Sequence, residues 1–73
     1  MSTHNRHVYI IVKDSGNRQT VFVRFEHGHV VVSEGKFRDA KVFSNEAAAK
    51  GVAFELNDRK YGDGGWYVRD YYL

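Results

Sequence analysis

The sequence predicts an α+β fold, a small antiparallel β-sheet of three to four strands with one helix packed across one face. In the first half of the chain, runs of β-branched and aromatic residues alternate with glycine-containing breaks, as in strands joined by hairpins. One alanine-rich segment follows, with the composition and apolar spacing of a helix. Because a helix laid across one sheet buries the apolar faces of both, the predicted order is β-β-β-(β)-α-β.

Four segments have the β-branched and aromatic content that is typical of strands. They span residues 7–13, 19–26, 29–33 and 66–72. The dense turn formers at 14–17 and the pair His27-Gly28 join the first three strands as hairpins. Residues 37–43 mix apolar and charged side chains, so that both a short fourth strand and an irregular crossover fit this segment.

The only helix is predicted at residues 47–56, capped by the side chain of Ser44 or Asn45. Its apolar positions recur at four-residue spacing and should face the sheet: Ala48, Val52 and Leu56. Phe54 lies away from that stripe. Either the helix buries a very wide face, with Gly51 letting a strand come close, or Phe54 is partly exposed.

Composition predicts a small intracellular protein. The 73 residues form a single domain, 1–73, with a flexible N-terminal tail at 1–6. The chain has no cysteine, which fits a reducing compartment. It shows neither the apolar run of a signal peptide nor a segment long enough for a membrane span, so we expect a cytoplasmic protein without membrane contact. A net charge of +2 without a basic run predicts weak or no direct nucleic-acid binding.

Alternation of side chains along the strands divides the predicted sheet into two faces. We expect the helix to cover the face that holds Val8, Val23 and Val68. The opposite face would then present a mixture of aromatic, aliphatic and basic side chains: Tyr9, Ile11, Phe22, Arg24, Val31, Tyr67, Arg69 and Tyr71. Three interpretations remain open for this face: a protein interface, a platform for single-stranded nucleic acid, or a surface covered by the termini or by Phe37 and Phe43.

The candidate partner-binding residues combine aromatic and arginine side chains of this face with one arginine of the tail. They are Arg6, Tyr9, Phe22, Arg24, Tyr67, Arg69 and Tyr71. Aromatic and arginine side chains supply most of the binding energy in protein interfaces, which is why these types are selected.

Metal, cofactor and catalytic sites receive little support from the sequence. His4-x-x-His7 and His27-x-His29 have spacings that could ligate a metal, but no cysteine joins them. The glycine-rich stretch 62–65 joins a helix to a strand, the reverse of a phosphate-binding loop. No motif places a general base beside a serine. We therefore expect a protein that is not an enzyme and has no metal or cofactor.

In its length, and in the strand-rich run at 7–32 followed by the helix at 47–56, the chain resembles small bacteriophage-encoded proteins that bind host RNA polymerase. No short signature motif contributes, so no functional residue is carried over. The resemblance implies a non-catalytic transcription regulator in the host bacterial cytoplasm. It would dock on a polymerase subunit, inhibit initiation and promote antitermination.

Two alternatives belong to other functional classes. The same sheet face could bind single-stranded nucleic acid, in which case affinity should fall steeply with salt. The chain could also be a structural or homodimeric module sealed through an edge strand or through Tyr71-Tyr72-Leu73. For the polymerase-binding regulator we expect a monomer.

Overall fold

The computed structural model describes residues 6–73, which form a four-stranded antiparallel sheet with one helix packed on it. The predicted α+β class is therefore confirmed. The strands are β1 (His7–Ser15), β2 (Arg18–Glu26), β3 (His29–Glu34) and β4 (Tyr67–Tyr72), and the helix is α1 (Glu46–Asp58). Two short 3₁₀ turns lie at Phe37–Asp39 and Tyr61–Asp63. The strand order across the sheet is β3-β2-β1-β4, so β3 and β4 form its edges.

Both hairpin turns use backbone conformations that their residues favour. Gly16, the first residue of the two-residue turn between β1 and β2, has a φ of +65°. Between β2 and β3, His27 and Gly28 have φ values of +49° and +78°, the pattern of a type I′ turn. Two-residue turns with positive φ at the first central residue follow the right-handed twist of the flanking strands, so these turns set the register of the first three strands.

The two central strands separate halfway along their length. β1 pairs with β2 only from Val12 to Ser15, and the first half of β1 pairs with β4 alone among the four strands. The crossover at 40–43 enters the resulting fork. There the Lys41 N–H donates to the Phe22 carbonyl at 2.9 Å, and Phe43 exchanges two backbone hydrogen bonds with Tyr9 at 2.8 and 2.9 Å. Of the two predictions for this segment, the irregular crossover is correct.

Because the crossover passes through the fork, the chain moves from one side of the sheet to the other. We call the side that carries α1 the helix side and the opposite side the far side. The 3₁₀ turn at Phe37–Asp39 lies on the far side, where Ala40 is buried, whereas Phe43 packs on the helix side. A single short segment thus closes the fork and connects the two layers.

The helix extends beyond the predicted 47–56 by one residue at its start and two at its end, and it uses one of the two predicted caps. Asn45 is the cap, and its side-chain oxygen accepts a hydrogen bond from the Ala48 N–H at 3.1 Å. The buried stripe is shifted by about one position from the prediction, because Ala48 is exposed. The residues that face the sheet are Ala49, Val52, Ala53 and Leu56. Phe54 is 72% exposed and no atom lies within 4 Å of an added Gly51 Cβ, so the wide buried face predicted as one alternative is wrong.

Each side of the sheet has its own apolar cluster. On the helix side, the buried residues are Ile11, Phe22, Ala49, Ala53, Leu56 and Trp66. On the far side, they are Ile10, Val12, Val21 and Ala40, with Val23, Phe37, Val42 and Tyr71 packed against them. The prediction that the helix covers the face of Val8 and Val23 is therefore wrong, whereas Val68 does pack on the helix side. Both faces of β1 and β2 are apolar, so alternation alone did not identify the face that meets the helix.

The N-terminal end of β1 is paired with the C-terminal end of β4. The Leu73 N–H donates to the Arg6 carbonyl at 3.0 Å, so Arg6, predicted as part of the flexible tail, is held by the sheet. The imidazole of His7 lies 3.0 Å from the Asp70 carboxylate and stacks on Tyr72 with ring centroids 4.9 Å apart. The rest of the predicted tail, 1–5, lies outside the described residues.

Candidate binding groove

A groove of about 270 Å³ opens on the helix side, beside the fork between β1 and β2. Its walls come from β2, the crossover and α1. The lining residues, which define the binding groove, are Phe22, Arg24, Phe25, Lys41, Phe43 and Val52. Four of the six are apolar, two are basic and none is acidic, so the groove offers an apolar floor between two cations.

A β-bulge in β2 places two phenylalanines on this groove. Phe22 lies opposite Val32 while Arg24 lies opposite Val31, which leaves Val23 as an extra residue in β2. Without the bulge, Phe22 and Phe25 would point to opposite sides of the sheet, since they are three residues apart. With it, both rings lie on the helix side, with centroids 5.0 Å apart and planes inclined by 59°.

Phe25 is the most exposed apolar residue that lines the groove. Phe22 beneath it is only 3% exposed, whereas Phe25 is 46% exposed and Val32 of β3 is 44% exposed. The helix leaves this part of the sheet open because α1 packs chiefly on β1 and β4. The β2–β3 ribbon therefore keeps apolar side chains at the surface on its helix side.

The two cations of the groove belong to different elements. Arg24, on β2, lies 3.3 Å from the Glu26 carboxylate in an exposed ion pair. Lys41, on the crossover, takes part in none of the ion pairs found within residues 6–73. Exposed pairs contribute little to stability, so the Arg24 guanidinium can exchange Glu26 for another carboxylate at low cost.

A second groove, of about 330 Å³, lies next to the first along the sheet. Val30 and Val32 of β3 form one wall, and Tyr61 and Trp66 form the other. The Phe25 ring, which lines the binding groove, lies 6.1 Å from the Tyr61 ring. The two grooves therefore share one apolar surface that follows the β2–β3 ribbon.

The wall of the second groove is fixed by polar contacts of Asn57, near the end of α1. Its side-chain amide accepts from the Trp66 N–H at 2.8 Å and donates to the Trp66 carbonyl at 2.9 Å. The Trp66 indole N–H donates to the Tyr61 carbonyl at 2.8 Å. Residues 62–65 all have positive φ, which explains the three glycines of this short loop. Hydrogen bonds of Trp66 to Asn57 and Tyr61 thus connect the two ends of this loop.

The far side carries a polar network. Its members are Asp14, Gln19, Tyr67 and Arg69. The Asp14 carboxylate accepts from the Gln19 amide and from the Tyr67 hydroxyl, each at 3.0 Å, and Arg69 donates to the Gln19 side-chain oxygen. The hydrogen bond from Gln19, followed by that from Tyr67, lowers the pKa of Asp14. Partial burial, together with the hydrogen bond to Asp14 and its charge, raises the pKa of Tyr67.

The structure separates the predicted partner-binding residues. The helix side carries Tyr9 and Phe22, the binding groove also includes Arg24, the far side carries Tyr67, Arg69 and Tyr71, and Arg6 precedes β1. They do not form one open face as predicted, since Phe22 is buried. On the far side, Phe37 lies under the Arg69 guanidinium, 4.7 Å from it, and packs on Tyr71. Cover by Phe37 was one of the three interpretations left open, and it applies to this part of the set.

Four residues of the binding groove were not among the predicted partner-binding residues. Regular alternation places Phe25 on the same face as Val23, which was expected to lie under the helix, because a bulge cannot be recognised from alternation. Lys41 and Phe43 fell in a segment of uncertain structure, and Val52 was assigned to the helix core. The one available signal was the Phe-x-Arg-Phe run at 22–25, in which two aromatic residues three apart contradict strict alternation.

The histidine pairs do not form a metal site in the described part of the chain. Within residues 6–73, no group of three or more His, Cys, Asp or Glu side chains is close enough to hold a metal ion. His27 and His29 are exposed at the turn between β2 and β3, and His4 lies outside the described residues. No helix in residues 6–73 has the length and apolar character needed to cross a membrane.

Comparison of the chain with protein-family models, curated proteins and solved structures finds no match. The geometry of the groove, together with the sequence, is therefore what any functional proposal for this chain must rest on.

Proposed function

We propose that this protein is a non-catalytic regulator that binds bacterial RNA polymerase, inhibits initiation and promotes antitermination. One observation supports the binding role: a half-exposed phenylalanine, Phe25, stands over an apolar groove flanked by Arg24 and Lys41. Large apolar side chains kept at a surface in a groove are typical of protein interfaces. The choice of polymerase follows from the resemblance to small phage regulators.

A protein partner suits this surface because the groove combines what interface centres need. Interface energy is concentrated in a few aromatic and arginine side chains that fill or line pockets. Phe25 and Arg24 are adjacent in sequence and line the same groove. In a chain this small, a rigid sheet carrying such a surface can act by occupying a site on a larger enzyme, with no chemistry of its own.

The alternative function is binding of single-stranded nucleic acid at the same groove. The observation that favours it is the presence of Arg24 and Lys41 beside Phe25 and Phe43, since cations next to aromatic rings can hold phosphates and stack bases. This alternative predicts that affinity for an oligonucleotide falls steeply as salt is raised, because bound counterions are released.

The proposal is tested by titrating labelled protein with purified RNA polymerase in the absence of nucleic acid. We expect saturable binding that Phe25→Ala weakens by at least about tenfold, as for a residue at an interface centre. Phe54→Ala is the matched control, since it removes an exposed phenylalanine from the outer face of α1. Absence of binding, or equal losses in both variants, would contradict the proposal.

Function is then measured by transcription from a promoter and through a terminator with the same variants. We expect wild-type protein and Phe54→Ala to reduce initiation and raise read-through, and Phe25→Ala to do neither. Binding to an oligonucleotide with a steep salt dependence, and none to polymerase, would establish the nucleic-acid alternative in its place.

A further inference from the structure

We infer that the binding groove receives one large apolar side chain from a partner segment whose neighbouring residues are acidic. This inference rests on the proposed function in that the segment would belong to the polymerase. The lining residues of the groove, however, indicate the chemistry of its occupant independently of the polymerase: an aromatic or large aliphatic anchor with carboxylates beside it. The size, the charge and the ring geometry of the groove each support this occupant.

The size of the groove fits a single anchor residue. An apolar cavity of about 150 Å³ is large enough to hold a benzene ring. The binding groove measures about 270 Å³, which accommodates one aromatic or large aliphatic side chain and leaves room for its backbone. Phe22, Phe43 and Val52 supply apolar walls, and Phe25 is the side chain that the anchor would cover.

The charges of the groove fit carboxylates next to the anchor. Arg24 and Lys41 lie on two different elements that meet at the fork, where the backbone of Lys41 is hydrogen-bonded to that of Phe22. No acidic side chain lines the groove, and Glu26, which pairs with Arg24 at 3.3 Å, is exposed and lies outside the lining. An anchor in the groove would place its flanking residues beside them, and arginine in particular binds carboxylates through two parallel hydrogen bonds.

The geometry of the aromatic rings favours a peptide over a nucleic acid. Surfaces that bind single strands present rings on which successive bases stack, along a groove of many cations. Here the Phe25 ring is inclined by 59° to Phe22 and by 55° to Tyr61, so the rings form a socket. Two cations are also few for following a phosphate backbone.

The test uses the full chain, isotope-labelled for NMR, and a short peptide with one central phenylalanine flanked by aspartate and glutamate. We expect saturable shifts of backbone signals in β2 at Arg24 and Phe25 and in the crossover at Lys41 and Phe43. Peptides with a central alanine, or with lysine in the flanking positions, should bind about tenfold more weakly or not at all, because each lacks one half of the recognition.

The matched variants are Arg24→Glu/Lys41→Glu and Lys36→Glu/Arg38→Glu. Both double substitutions reverse two exposed cations, but Lys36 and Arg38 do not line the groove. We expect Arg24→Glu/Lys41→Glu to bind the acidic peptide at least about tenfold more weakly than wild type and to prefer the lysine-flanked peptide. Lys36→Glu/Arg38→Glu should bind the acidic peptide like wild type. Equal behaviour of the two variants, or shifts outside the groove, would overturn the inference.

Other outcomes distinguish this inference from the proposed function. If the acidic peptide binds the groove but polymerase does not bind the protein, the inference stands and the choice of polymerase is wrong. If polymerase binds and Arg24→Glu/Lys41→Glu leaves that binding unchanged, the inference is overturned and the regulator proposal stands. A single-stranded oligonucleotide that displaces the peptide from the groove, with a steep salt dependence, would overturn the inference in favour of nucleic acid. Concentration-dependent shifts without peptide would overturn it in favour of self-association.

Discussion

The helix side of the sheet has two apolar halves, one covered by α1 and the other exposed. The covered half consists of β1 and β4, on which α1 packs, and it holds the buried residues Ile11, Leu56 and Trp66. The uncovered half consists of β2 and β3, where Phe25 and Val32 remain at the surface. Both halves are apolar, but only one is closed by the helix. A small domain can thus bury one half for stability and leave the other for binding.

The difference between the two halves arises at the fork. Because β1 pairs with β2 only from Val12 to Ser15, the crossover lies between the unpaired parts of the two strands and delivers α1 beside β1, not across the centre of the sheet. The bulge at Val23 then keeps Phe22 and Phe25 on the same side. The separation of the strands and the bulge together leave apolar side chains of β2 and β3 exposed next to the core that α1 covers.

The largest effect is expected from a cavity in the covered half. Leu56 is fully buried, so Leu56→Ala should lower the free energy of unfolding by about 2–5 kcal/mol, a large part of the stability of a small domain. Phe54→Ala, two residues away on the exposed face, should change it by less than about 0.5 kcal/mol. Urea unfolding measures both. Similar losses in the two variants would mean that α1 does not bury Leu56 and expose Phe54 as described.

Urea unfolding of Phe25→Ala measures how much this residue of the uncovered half contributes to the free energy of unfolding. Nearly half of the ring is already in solvent, so we expect a loss of about 1 kcal/mol, between the values for the other two variants. A loss of stability as large as that of Leu56→Ala would show that Phe25 is part of the core and contradict its role as a docking residue.

The next effect concerns the polar contacts that join α1 to the start of β4. Asn57→Ala leaves the Trp66 N–H and carbonyl without their partners, so we expect a loss of about 1–3 kcal/mol in the free energy of unfolding. Asn57→Asp keeps an acceptor for the N–H and should lose less. Asp58→Ala is the exposed control and should have little effect. Tryptophan fluorescence during urea unfolding follows the affected residue directly.

Asn57→Ala also tests whether the two grooves are independent, because Trp66 lines the second groove but not the binding groove. If the binding groove depends on β2, the crossover and Val52 of α1 but not on the C-terminal end of that helix, Asn57→Ala should bind polymerase as tightly as wild type once it is folded. A parallel loss of binding would show that the binding groove depends on the contacts between Asn57 and Trp66.

Much of this architecture could be predicted from the sequence because it depends on local chemistry. Glycine in the turns, the Asn45 cap and the β-branched runs determine the strands, the hairpins and the single helix. The phase of β4 was also predicted, since Val68 packs with the helix while Tyr67 and Arg69 do not. In each case, the signal lies within a few residues of the structure that it specifies.

The binding groove could not be predicted because it depends on non-local features. Side-chain alternation in β1 gives two faces, but Ile10 and Ile11 are both fully buried, so hydrophobicity cannot say which faces the helix. The bulge at Val23 and the fork filled by Lys41 are consequences of tertiary packing. Together they bring Phe25, Phe43 and Val52 to one groove from three elements that are distant in sequence.

The smallest effect on stability is expected from the polar network on the far side of the sheet, which includes Asp14 and Tyr67. The pKa of Asp14 lies below its ordinary value of 3.8, so its stabilising contribution is complete above that pH and is lost as pH falls through the folded pKa. The pKa of Tyr67 lies above its ordinary value of 10.0, so its contribution is complete below that pH and is lost as pH rises through the folded pKa. The two contributions are therefore lost at opposite ends of the pH range.

Asp14→Asn separates these contributions. It removes the charge and the carboxylate acceptor beside Tyr67, so we expect the pKa of Tyr67 to fall, as measured by NMR of isotope-labelled tyrosine in a pH titration. Asp58→Asn makes the same change of charge at an exposed position of α1 and should leave that pKa where it is. Since Asp14 and Tyr67 line neither groove, Asp14→Asn should bind polymerase like wild type. An unchanged pKa of Tyr67 would contradict the hydrogen bond, and a loss of binding would locate part of the interface on the far side.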